Sequence, residues 1–100
     1  MAEHGNRGEA ERERLIRALC SLESADEARA LLGDLCTPRE IEDLSQRLEV
    51  ATMLAAGASY VDVSRATGAS STTVSRVSKC LNGPGGGYRM VLARLDGPRP

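Results

Sequence analysis

A chain of 100 residues, 41% apolar and with a formal net charge of −1, allows one domain with a small core. Tyr60 and Tyr88 are its only aromatic residues, so the core must come from Leu, Val, Ile, Ala and Met, which suits packed helices better than a sheet. The composition excludes a membrane span, which needs about eighteen consecutive apolar residues, and a structural zinc site, which needs clustered Cys and His.

Met1 to Gly8 is small and polar, too polar for a secretory signal, and is expected to be disordered. A first helix is predicted from about Glu9 to Leu22, with Leu15, Ile16, Leu19 and Leu22 on one stripe. Ser24-Ala-Asp-Glu27 has the form of a capping box and opens a second helix, where Ala28, Leu31, Leu32 and Leu35 repeat at helical spacing. Thr37-Pro38-Arg39-Glu40 adds Pro at the first helical position. The helix it starts, from Pro38 to about Ala56, should be the longest. Ile41, Leu44, Leu48, Ala51, Leu54 and Ala55 give its apolar face, and Gly57 supplies its C-terminal turn.

The next stretch, about 59–82, has the layout of a helix-turn-helix. Ser59 and Ser70 stand where two short helices would start, each able to accept a bond from a free backbone N–H. Gly68 falls where the turn needs positive φ, and Val63, Ala69, Val74 and Val77 fall where the helices must meet. An ordinary helical hairpin buried in another fold is the blander reading of the same pattern. Asn82-Gly-Pro-Gly-Gly-Gly87 then breaks the chain. A last short helix is expected from Tyr88 to Leu95, with Met90, Val91 and Leu92, before a loose tail from Asp96 to Pro100. Residues 9–95 thus form one helical domain between a disordered N-terminus and a flexible tail.

Charge is segregated along this layout. Met1 to Glu49 holds seven Arg against twelve Asp and Glu, whereas Val50 to Pro100 holds six Lys and Arg against Asp62 and Asp96. A positive C-terminal half suits a polyanionic partner, and double-stranded DNA is the one a helix-turn-helix meets. Cys20, Cys36 and Cys80 read as small buried apolar residues of a reduced, cytoplasmic protein. The Leu stripes of the first two helices exceed what one three-helix unit can cover, so two chains should interdigitate.

The run Leu35-Cys-Thr-Pro-Arg-Glu-Ile-Glu-Asp-Leu-Ser-Gln-Arg-Leu-Glu-Val-Ala, with Thr67-Gly-Ala-Ser-Ser-Thr-Thr-Val-Ser-Arg-Val and Gly87-Tyr88, resembles the Trp repressor superfamily. Within it, the likeness is to the YerC/YecD group of Trp-repressor-related proteins, over roughly Ala28 to Leu95. The resemblance implies an all-α fold of about six helices, an intertwined homodimer with one helix-turn-helix head per subunit, and repression of transcription. In the tryptophan-sensing member, an Arg from the long central helix and another from the recognition helix hold the amino acid. Arg47 and Arg76 match those two positions, and Thr37 matches a threonine near the ligand. The match then fails. The sensing protein has Gly immediately after its second Arg and a Ser that contacts the ligand's amino group, where this chain has Val77 and Cys80. Valine's methyls would fill the indole's space, so tryptophan binding and a small-molecule corepressor are not expected. Arg47 is then expected to pair with a neighbour on its own helix, such as Asp43.

The residues expected at DNA follow from the helix. Ser71, Thr72 and Thr73 open the recognition helix, 71–82, and should reach base edges in the major groove. Arg76 and Lys79 suit phosphates, and Ser59, Tyr60 and Ser64 on the preceding helix can bond the backbone. The resemblance adds Ser78 to this set, and Ser70 caps the helix beside it. No catalytic set is present: Gly83 to Gly87 lacks the Lys-Ser/Thr of a phosphate loop. The expectation is a sequence-specific DNA-binding regulator, not an enzyme, without cofactor or metal and independent of tryptophan. A helical protein-interaction module that binds no DNA, or a repressor sensing a small molecule near Arg47 and Arg76, would use the same scaffold.

Overall fold

Each stretch with an apolar repeat at helical spacing forms a helix in the computed structural model, which describes residues 3–96, with side chains from residue 7 onward. In chain order these are α1 (Glu3–Cys20), α2 (Ala25–Leu35), α3 (Pro38–Ala55), α4 (Tyr60–Thr67), α5 (Ser71–Leu81) and α6 (Gly87–Asp96). No strand occurs among the described residues. None of the six helices is long and apolar enough to cross a membrane.

One boundary corrects the expectation. Glu3 to Gly8 is helical rather than disordered, because extending an existing helix adds a bond per residue without a new nucleus, despite Gly5 and Gly8. Met1 and Ala2 of that stretch, and Gly97 to Pro100 of the expected tail, lie outside the described residues. With this extension α1 reaches 18 residues and equals α3, which is therefore not the longest.

The chain divides into a first unit ending at Pro38 and a second starting at Arg39. In the first unit, Ser24 caps α2 by accepting from Glu27 N at 3.1 Å. The Glu27 carboxylate reaches back to Glu23 N at 2.8 Å, one residue earlier than a standard box would place it. Leu15, Ile16, Leu19 and Leu35 are exposed, and α2 buries no residue at all. The rest of the two stripes, Leu22, Ala28, Leu31 and Leu32, is half-buried.

The core belongs to the second unit. Val50 and Ala51 of α3, Val63 of α4, Ala69 of the turn, Val74, Val77 and Leu81 of α5 and Leu92 of α6 are buried together. The four positions expected to join α4 to α5 are all among them. Gln46 Nε2 of α3 donates to Thr67 O at 3.1 Å and ties the end of α4 to the long helix. The expected apolar face of α3 is only partly used. Ala51 is buried and Leu54 packs against the core, but Leu44 and Leu48 remain exposed, as do Met90, Val91 and Leu95 of α6. The reason is helix phase: Val50, Ala51 and Leu54 lie on the side of α3 that joins the shared core. The cysteines also depart from expectation, since Cys20 and Cys80 are exposed and Cys36 is half-buried. Each sits off the packed face of its segment.

Gly68 ends α4 in the left-handed conformation, at φ 78° and ψ 2°. A Cβ placed there would come no closer than 4.0 Å to Gln46 Nε2, so there is space, and the backbone alone resists a side chain. Gly68→Ala is expected to cost about 1–2 kcal/mol, which lowers Tm by roughly 5–15 °C in a domain of this size. Thermal unfolding followed by circular dichroism measures this, and an unshifted Tm would show that the turn tolerates a side chain at no cost.

Candidate nucleic-acid interface

The helix-turn-helix is built from hydroxyls that the sequence places at its corners. Ser59 caps α4 by accepting from Asp62 N at 3.1 Å, and Ser70 caps α5 by accepting from Thr73 N at 3.1 Å. Inside the turn, Thr67 Oγ1 donates to Val63 O at 2.7 Å and accepts from Ala69 N at 3.1 Å. Ser64 Oγ donates to Ala69 O at 2.6 Å. With Gly68 in its left-handed conformation, these bonds fix the angle between α4 and α5 before any partner arrives.

Outside this frame, one face of the unit presents hydroxyls and cations together. Tyr60, Ser71, Thr72, Ser75, Arg76 and Lys79 border a single shallow hollow. Ser71, Thr72, Arg76 and Lys79 are exposed, so their donors are free to meet an acceptor-rich surface. A second hollow runs from Tyr60 and Ser71 to Arg65, in the last turn of α4. Ser75 and Arg65 extend the expected set. Their signal was the spacing: Ser75 stands one turn beyond Ser71, on the face Ser71 shares with Arg76 and Lys79.

Three of the expected residues also make internal bonds. Thr73 is half-buried, its Oγ1 accepts from Ser70 Oγ at 3.1 Å, and it faces α3 rather than the hollow. Ser78 is only 9% exposed. Its hydroxyl accepts from Tyr60 Oη at 2.5 Å and from Asn82 Nδ2 at 3.4 Å, so it joins α4 to the end of α5 and is withdrawn from the surface. Ser64 is half-buried and holds the turn. Tyr60 combines both roles: half exposed at 50%, its ring borders the hollow while its hydroxyl proton goes to Ser78.

On the other side of α5 lies a cleft of about 680 Å³ between α3 and the head. Arg47, Arg76, Val77 and Cys80 all border it, with Arg39, Glu42, Asp43 and Gln46 along its α3 wall. The sequence comparison of these four positions therefore describes one place in space. Val77 is 2% exposed and fills the junction between the helices, but the space above it remains open. Arg47 does not take Asp43. Asp43 Oδ1 pairs with Arg39 Nε at 3.3 Å, one turn in the opposite direction, and the Arg47 guanidinium stays exposed along the cleft. Thr37 immediately precedes α3 and belongs to the first unit. Among the described residues, no group of three or more His, Cys, Asp or Glu could hold a metal ion.

Known proteins resemble this chain in sequence and fold. The family description "Trp repressor protein" matches residues 10–96. The uncharacterized protein YerC of Bacillus subtilis (strain 168) is 44% identical over 85 residues, covering 85% of this chain and 82% of that protein. A crystal structure of a TrpR-like protein from Eubacterium eligens ATCC 27750 superposes with a TM-score of 0.79 at 44% identity, over 88% of this chain and 91% of that one. A candidate Trp repressor from Staphylococcus aureus gives a TM-score of 0.82 at 37% identity, over 91% of each chain.

Proposed function

This chain belongs to the Trp repressor family, as a YerC-type member, and from that premise we propose that it is a sequence-specific, DNA-binding repressor of transcription. The observation that carries the proposal is the hollow on α5, where Ser71, Thr72, Arg76 and Lys79 stand exposed beside half-buried Ser75, on a helix whose start is capped and whose angle is fixed. Hydroxyls near the N-terminus of such a helix meet base edges, directly or through water, and the cations that follow meet phosphates. The positive balance of the C-terminal half favours approach to the duplex, while the acidic N-terminal half keeps non-specific coating weak. A regulatory role, without catalysis and in the cytoplasm, goes with this reading.

The working form is a homodimer. Leu15, Ile16 and Leu19 of α1, Leu44 and Leu48 of α3, and Met90, Val91 and Leu95 of α6 are all large and exposed. A second copy supplies the same stripes in return, and two-fold symmetry then places two α5 helices on half-sites about 34 Å apart.

Binding to a random duplex across a salt series tests the proposal. Arg76 and Lys79 from each of two subunits predict a slope of log K against log salt of about −3 to −4, and sedimentation should give a dimer at micromolar concentration. No binding at low salt would overturn the DNA reading in favour of a helical protein-interaction module. A stable monomer that still binds DNA would overturn the dimer.

A further inference from the structure

The C-terminal end of α5 is held by a polar station where the loop before α6 meets the helix. A helix leaves its last four carbonyls without partners inside the helix. Here Ser78 O accepts from Asn82 N at 3.0 Å and from Asn82 Nδ2 at 2.9 Å, and Cys80 O accepts from Gly83 N at 3.3 Å. Leu81 O accepts from the Arg89 guanidinium of α6, and the same Nη1 donates to Gly83 O at 2.9 Å. The loop between the helices lies so close to α5 that a Cβ on Gly83 would stand 2.8 Å from Lys79 O. Backbone, side-chain amide and guanidinium thus converge on one helix end, and the positive charge sits at the negative pole of the helix dipole.

We propose that Arg89 is a positioning residue for DNA recognition: it clamps the C-terminus of α5 and the 82–86 loop to α6, and so fixes the tilt at which the recognition helix enters the groove. The inference rests on the DNA-binding reading above. Its Nη1 is held by Leu81 O and Gly83 O, which fixes the guanidinium at the helix end. Arg76 and Lys79 carry the phosphate contacts; Arg89 keeps the hydroxyls between them and the helix start in register. A lysine would retain the charge at the dipole but lose the two-carbonyl grip of one guanidinium nitrogen.

The test compares Arg89→Ala, Arg89→Lys and Lys79→Ala on two probes: a duplex selected by the wild-type protein from a randomised pool, and a random duplex. Amide exchange at Asn82 and Gly83 in the free protein is measured alongside. Arg89→Ala should weaken binding to the selected duplex by about tenfold or more, leave the random duplex and the salt slope unchanged, and speed exchange at both amides. Arg89→Lys should recover part of each loss, whereas Lys79→Ala should lower the slope by about one on both probes. A lowered salt slope for Arg89→Ala, with equal loss on both duplexes, would make Arg89 a phosphate contact and overturn the proposal. Unchanged specificity with unchanged exchange would overturn it too. Failure of the wild-type protein to bind either duplex would instead remove the DNA reading. The exchange result would then decide whether the clamp exists.

Discussion

Thr72→Ala is expected to lower affinity for the selected operator by roughly ten- to a hundredfold while leaving a random duplex within about twofold, the signature of a lost base contact. Thr72 stands exposed in the second position of α5, beside the hollow that holds Ser71, Ser75, Arg76 and Lys79. Its hydroxyl can donate or accept, and its methyl can meet that of thymine. Thr73→Ala, one residue on, should behave differently. Thr73 accepts from Ser70 Oγ and faces α3, so its loss should weaken the cap of α5 and act on both DNAs alike, through stability. Arg76→Ala with Lys79→Ala completes the comparison, since removing phosphate contacts should flatten the salt dependence by about one unit per contact without changing the ratio between duplexes. Fluorescence anisotropy with the selected and random duplexes measures all of these. Equal losses on both duplexes for Thr72→Ala would take it out of the readout set. A specificity loss confined to Thr73→Ala would show that α5 rotates on binding.

Which of these residues could be read in advance depends on how local their physics is. Ser24, Ser59, Ser70 and Gly68 were legible because a cap or a left-handed turn is decided within four residues of chain, and each forms as its neighbours require. Val63, Ala69, Val74 and Val77 were legible because a helix-turn-helix has one spacing that lets its two helices touch. Ser78 and Thr73 were not. Both have polar side chains on a polar helix, and only the approach of Tyr60 to one and the nearness of α3 to the other withdraws them from the surface. Spacing along α5 cannot reveal a donor that arrives from α4. The Arg47 expectation failed for a related reason. Asp43 has a cation one turn away on each side, and periodicity does not choose between Arg39 and Arg47. Leu44 and Leu48 carry the helical repeat as clearly as Val50 and Ala51, yet remain exposed. An apolar stripe announces that it must be covered; it does not say by which chain.

Val77→Gly is expected to give the largest loss of stability, about 3–4 kcal/mol, from the vacated volume at a 2% exposed site and the added freedom of a glycine within α5. Against a total of about 5–15 kcal/mol for a folded domain, that is a large share, readable by denaturant unfolding. The same residue bears on tryptophan. The wild-type protein is expected to bind DNA without the amino acid, and millimolar L-tryptophan should add neither calorimetric heat nor operator affinity. Val77 borders an open cleft of about 680 Å³. The obstacle is what lines it. Arg39, Glu42, Asp43 and Gln46 form the wall opposite α5, and an indole laid there would strip water from charged groups while offering them one N–H. The buried methyls of Val77 close the apolar floor, and Cys80 has no hydroxyl to accept from the ligand's ammonium. A ligand shifts a conformational equilibrium only through a difference in affinity between its states, and this lining gives tryptophan little to bind. Heat on titrating the wild type, together with tighter operator binding, would overturn this. Heat confined to Val77→Gly would locate the block in two methyl groups, with Arg47 and Arg76 still bordering the cleft to hold a carboxylate.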